Sequence, residues 1–512
     1  MLRPVVLILL CLACASRLLA APPTASFNVR AFGAKGDSTA IDSDAVNRAI
    51  AAAAKAGGGT VYFPAGTYLS YSIRLQSRIS LYLDQGATLV AAAPVGERGY
   101  DAPEPAANDT YQDFGHSHWH NSLIWGENLV DISILGPGTI HGRGLTREGP
   151  HRAPVGNKAI ALKLCRNVQL RDFTVLYGGH FALLATGVDN LTIDNLTLDT
   201  NRDGLDIDGC KNVRIANCTV NSPWDDAICL KSSFALGYAR PTENVTITNC
   251  QVSGYDRGTL HNGTYLRNEP HLVPDKEGPT GRIKFGTESN GGFKNIAISN
   301  CVFEYCRGLA LETVDGGLLE DVTISNITMR NVTNSPIFLR LGGRMRAPVG
   351  TAIGALRRIN ISNVNVYNAD SRFATLIAGL PGHPIEDVRL SNISIWYKPL
   401  DAAATAEIQK TVPEHEKDYP EPQKFGVLPA YGFFIRHVKN VVLSNVNIYL
   451  LGPETRPALM LLDVQGGSLR HVVAPKAGPA PMVVLEGVRN LVVQSSEPLK
   501  NGTLQQLKSK AF

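Results

Sequence analysis

Three aspartates stand in two short polar phrases, NRDGLD from Asn201 and WDD from Trp224, with Asp203 and Asp225 22 residues apart and Asp226 next in line. Grouped carboxylates do proton chemistry. Like charges held close raise the pKa of at least one member, so one carboxyl keeps its proton while another stays ionised. That pairing suits glycosidic-bond hydrolysis, where an acid protonates the leaving oxygen and a base activates water. The same residues would also serve as plain turn aspartates. The choice depends on whether the chain repeats with a period near 22.

It does. The phrase NVQLRDFTV from Asn167 returns as NLTIDNLTL from Asn190, NVRIANCTV from Asn212, NVTITNCQV from Asn244 and NIAISNCVF from Asn295. It continues as DVTISNITM from Asp321, RINISNVNV from Arg358, DVRLSNISI from Asp387 and NVVLSNVNI from Asn440. Apolar and polar residues alternate on both sides of one Asn, giving a short strand, a turn and a second strand. Such a unit cannot bury its own apolar face, so the coils must stack. The expected fold is all-β, a three-sided, right-handed single-stranded parallel β-helix. Asn195, Asn217, Asn249, Asn300, Asn326, Asn363, Asn392 and Asn445 would form a ladder at one corner. Asp42 to Ala56 reads as an amphipathic capping helix stopped by Gly57-Gly58-Gly59. Irregular insertions at about 92–122, 253–281, 341–357 and 399–430 would wall a groove. One coil's offset then brings Asp203 beneath Asp225 and Asp226, about 4.8 Å away.

Composition narrows the class. A net charge of +4 over 512 residues is too weak for a nucleic-acid surface. Residues 1–21 read as a secretory signal, with Arg3 ahead of an apolar run from Val5 to Ala15. Residues 22–512 would then form one β-helix domain, secreted to the periplasm or beyond. Cys14 is a poor match to a lipid-attachment site. No stretch has the length of a transmembrane helix. Seven Cys follow the leader, with no zinc-type spacing. They read as small buried residues stacked coil upon coil. Nothing in the sequence speaks to oligomeric state.

NRDGLDIDGCKNVRI followed by SPWDDAICLKSS resembles glycoside hydrolase family 28, the polygalacturonases and related pectin hydrolases of pectin-lyase-like fold. FNVRAFGAKGD, FPAGTY and ISILGPGTI extend the likeness through most of the chain. The resemblance implies an inverting hydrolase of galacturonate-containing pectic polysaccharide, either polygalacturonan or rhamnogalacturonan, working without a cofactor. Asp225 matches its general acid, Asp203 and Asp226 its water-activating pair, and Asn201 the Asn before the first aspartate. Two departures stand out. Thr280 falls where the family carries a His. Ala310 and Glu312 replace the Arg and Lys that grip the substrate carboxylate, while Arg282-Ile283-Lys284 lies one coil early.

Arg282 and Lys284 would still make chemical sense as a uronate clamp, a planar fork beside a point charge. Arg340, Arg344 and Arg346 would supplement it or serve as surface charge. Glu288 and Glu312 are candidates for bonding sugar hydroxyls or for structural ion pairs, and His180 for lining the groove. Trp224 and Trp119 are candidates for stacking on a sugar ring. His116, His118 and His120 alternate as metal ligands can, but no nearby carboxylate or Cys has ligand spacing, so no metal is expected. Long insertions favour exo cutting. Two alternatives share the fold: a polysaccharide lyase with an Arg or Lys base and calcium, and a non-catalytic carbohydrate-binding solenoid.

Overall fold

The computed structural model describes residues 25–105, 107–112, 115–146, 152–268 and 278–512. The leader reading (1–21), Cys14 included, lies outside them, as does part of the 253–281 insertion. The described strands form one continuous parallel ladder wound into a three-faced column, closed by an antiparallel pairing of Val483–Gln494 with Gly502–Ala511. No described helix is long and apolar enough to cross a membrane.

The repeat explains the column. Leu191, Val213, Val245, Ile296, Val322, Ile359, Val388 and Val441 pair in succession on one face, and all are buried. Each aliphatic side chain meets its counterparts above and below, so the apolar face no single coil could bury becomes one stack. At the corner, Asn326, Asn363, Asn392 and Asn445 hold φ of 57°, 56°, 54° and 53°, the left-handed region Asn tolerates better than most residues. Their side-chain amides join in a ladder: Asn363 donates to Asn326 and Asn392 to Asn363, both at 3.0 Å. A second ladder, not foreseen, runs through the phrase starts; Asn190 donates to Asn167 at 2.9 Å and Asn212 to Asn190 at 3.1 Å.

The helix Ser43–Lys55 covers the open end. Ala45, Val46, Ala49, Ile50 and Ala53 face the column, and Gly57, Gly58 and Gly59 end the helix at positive φ. The seven Cys among the described residues are buried free thiols.

A third face carries the chemistry. Its outward row runs Leu184, Asp206, Cys229, Lys284, Ala310, Phe338, Leu376, Phe434. The row is apolar at both ends and charged in the middle. Trp119 and Ala235 pack over one end, and Phe425 and Leu428 from the 398–432 insertion over the other. What remains between these covers is the site.

Candidate active site

Asp203 opens the strand Asp203–Asp208, and Asp225 and Asp226 sit in the turn before Ile228–Ser232. Leu205 pairs with Ile228, and Gly204 donates to the Asp226 carbonyl at 3.0 Å. That register sets Asp226 over Asp203, with Asp225 at the turn's outer side. One carboxylate oxygen from each of the three lies within 4.8 Å of the others.

The three live in different surroundings. Asp226 is 2% exposed; Arg282 Nε donates to its Oδ1 at 2.7 Å and Lys284 Nζ lies 3.4 Å from Oδ2. Burial alone would push its carboxyl up, but Lys284, Arg282 and Lys231 outweigh that and hold it far below the usual carboxylate range. Asp203 is equally buried without such partners: Arg202 Nη2 is 3.9 Å away. Burial first, then the charges of Asp225 and Asp206, push Asp203 well above the ordinary value. Asp225 has 27% side-chain exposure and pairs with Arg202 Nε at 3.0 Å. The cluster thus holds one carboxyl favouring its proton, one fixed as carboxylate, and one reaching solvent. Asp203 is the member pushed toward its protonated form, whereas the family resemblance places the acid role at Asp225.

Sequence reasoning missed the surrounding charges. Asp206, three residues along the strand from Asp203, has neither carboxylate oxygen hydrogen-bonded. Burial pushes it up to about 8 despite Lys231. Lys231 Nζ lies 3.1 Å from Glu288 Oε2. His116 sits 3.9 Å from Asp206 and 3.8 Å from Glu288, its pKa lowered well below the ordinary value by burial and then by Lys231. Above the cations stands Glu421, from the 398–432 insertion. Arg282 Nη1 donates to Glu421 Oε2 at 3.2 Å, with a second contact from Nη2 to Oε1, and Arg307 Nη1 reaches Oε2 at 3.0 Å. Tyr419 lies beside it, with the Thr287 hydroxyl donating to its OH at 2.8 Å.

Several expected roles change. Arg282 and Lys284 do reach the cluster, but both are about 2% exposed and engaged with Asp226 and Glu421, so they form no open clamp. Glu288 and Glu312 are fully buried and cannot face a sugar: Glu288 bonds Lys231 and Arg346, and Glu312 lies 3.6 Å from Lys284. Arg340 is spent on the carbonyls of Gly379, Glu414 and His415, and Arg344 on Asp315. Trp119 is buried and donates to Thr186 Oγ1 at 3.0 Å, so it cannot stack on substrate. Trp224 is nearly buried, with the Arg257 guanidinium 3.8 Å from its ring centre. His180 lies against the Arg202 guanidinium. Thr280 stacks its backbone on Pro223, one coil above the Asp225 turn. The expectation that no carboxylate joins the histidines also fails, because the fold brings Glu104 and Glu127 to His120; Lys163 sits 2.9 Å from Glu127 and supplies the balancing charge.

Asn201 and Trp224, chain neighbours of the carboxylates, line a cavity of about 380 Å³ with His141, Arg143, Tyr177 and Arg257. Asp199 fixes the loop carrying Arg257, accepting from Gly258 N at 3.0 Å and His261 N at 2.9 Å.

Known proteins agree with this architecture. Residues 26–116 match the model "Rhamnogalacturonase A/epimerase, pectate lyase-like", and residues 158–326 match "Right handed beta helix region". A grapevine protein (Vitis vinifera), "Probable polygalacturonase", is 24% identical over 393 residues, covering 71% of this chain and 73% of its own. The family 28 exopolygalacturonase of Yersinia enterocolitica superposes with TM-score 0.63 at 17% identity, over 87% of this chain and 78% of that one. The exopolygalacturonase of Thermotoga maritima gives 0.56 at 20% identity, over 73% and 88%. The chain is therefore a right-handed, pectin-lyase-like β-helix, related over most of its length to the polygalacturonases of glycoside hydrolase family 28.

Proposed function

We propose that the protein hydrolyses a pectic polysaccharide at the Asp203–Asp225–Asp226 cluster, with inversion at the anomeric carbon. The observation that carries this reading is the gathering of three carboxylates in one pocket, with Asp203 pushed toward its protonated form and Asp226 held ionised. Asp226, held ionised by Arg282 and Lys284, acts as base. A water bridging Asp226 and Asp203 fits, since two hydrogen bonds of ordinary length meeting at a tetrahedral angle span about 4.6 Å. Asp225, the exposed member, faces the leaving oxygen. It passes a proton to that oxygen as the glycosidic bond breaks, while the water attacks from the opposite side.

A lyase would need Arg282 or Lys284 as a neutral base. Burial opposes their charge, yet the surrounding acids, Glu421 and Asp226 foremost, raise both well above their ordinary values, which disfavours that chemistry. Secretion belongs to the same proposal, supported by the leader-like first residues. So does exo cutting, supported by the 253–268 wall and by the two solved exopolygalacturonases.

The test is mass analysis of products from defined pectic oligosaccharides. Hydrolysis adds one water per cut, and release of single end units marks exo action. Unsaturated products absorbing in the ultraviolet would overturn the proposal in favour of elimination. Binding without turnover would overturn it in favour of a carbohydrate-binding solenoid.

A further inference from the structure

The cations beside Asp226 already face buried acids of the protein. Arg282, Lys284 and Arg307 supply three buried cations, each within 4 Å of Asp226 or Glu421. Glu421 meets Arg282 through both guanidinium nitrogens, the fork geometry a uronate carboxylate would use. It arrives from an insertion 139 residues away, so the contact is built by the fold and not by local sequence. A second carboxylate brought here would face Glu421 with its cations already engaged. What the insertion offers outward is an aromatic surface: Tyr419 is 40% exposed, with Lys284 behind its ring at 5.3 Å.

The lining differs next to Asn201 and Trp224, chain neighbours of the aspartates: Arg143 and Arg257 stand along the cavity there with His141 and Tyr177. An acidic sugar suits that side, and a sugar with an apolar face and no carboxylate suits the Tyr419 side.

We propose that Glu421 sets the substrate class: it occupies the place of a substrate carboxylate, so the sugar beside Arg282 and Lys284 is neutral and the backbone cleaved alternates uronate with neutral sugar, as in rhamnogalacturonan. This rests on the hydrolase reading above, and binding separates the two. In an Asp225→Asn background, so that nothing is consumed, calorimetry with an alternating galacturonate–rhamnose tetrasaccharide and with trigalacturonate compares the two ligands directly. The alternating ligand is expected to bind at least about tenfold tighter. Adding Glu421→Gln frees the cations and is expected to strengthen trigalacturonate binding about tenfold. Adding Tyr419→Ala instead, which disturbs no buried charge pair, is expected to weaken only the alternating ligand, which keeps the test open if Glu421→Gln does not fold. Trigalacturonate binding as tightly as the alternating ligand with Glu421 intact, binding of neither ligand, or an unchanged preference in every folded variant would overturn the inference. Discrimination in binding while the unmutated protein releases no product would instead sink the hydrolase reading and leave this one standing.

Discussion

Two faces of the same column carry charged residues at equivalent heights and use them in opposite ways. On the phrase-bearing face, Lys211 and Lys294 flank Glu243 at 2.7 and 2.8 Å, and Arg357 and Arg358 flank Glu320, all in contact with water. On the site face, Asp206, Lys231, Lys284, Glu288 and Glu312 project outward from their strands in the same manner yet are buried, because insertions fold over them. The backbone is common to both; solvent access alone separates a solubilising surface from an electrostatic device. Exposed pairs contribute under about 1 kcal/mol each, whereas a buried charge stripped of its partner costs several.

The largest expected effect comes from breaking the site face at its centre. Asp225→Asn is expected to lower kcat by about 10²–10⁴-fold or more with the fold retained, checked by product release alongside circular dichroism. Next, Arg282→Met leaves Asp226 and Glu421 without their shared cation and is expected to cost roughly 3–5 kcal/mol in denaturant unfolding.

A pH series sharpens the contrast. The Asp206 and Asp208 carboxyls are raised by burial to about 8 and about 6 in the folded protein. Groups raised on folding contribute stability that is fully present below the unfolded pKa, near 4, and lost as pH climbs through the folded value. Their contribution to stability is therefore expected to fall between about pH 4 and 8. Asp206→Asn should flatten that slope in melting curves. The smallest effect belongs to the other face: Arg358→Met is expected to change unfolding free energy by less than about 1 kcal/mol. A loss as large as that of Arg282→Met would erase the distinction between the faces.

Much of this was legible in the sequence for one physical reason: a solenoid's contacts are periodic. The repeat named the strands and the corner asparagines, amphipathic spacing ahead of three glycines named the capping helix, and the same period drew Asp203 toward Asp226. What escaped was aperiodic. Glu421 and Tyr419 come from an insertion that obeys no repeat, and nothing local to Arg282 announces an acid 139 residues on. Glu288 and Glu312 were open to two roles because nothing local tells whether an outward side chain is covered. Trp224 and Trp119 looked like sugar platforms because aromatic type says nothing about which faces are already occupied, here by Arg257 and Lys163.

The account stands on one water delivered by Asp226 while an acid on the opposite side of the bond releases the leaving group. Proton NMR of the first-formed product, recorded before mutarotation, tests it most directly. An anomeric signal inverted relative to the substrate is the predicted result. A retained signal, or an unsaturated sugar in its place, would contradict it.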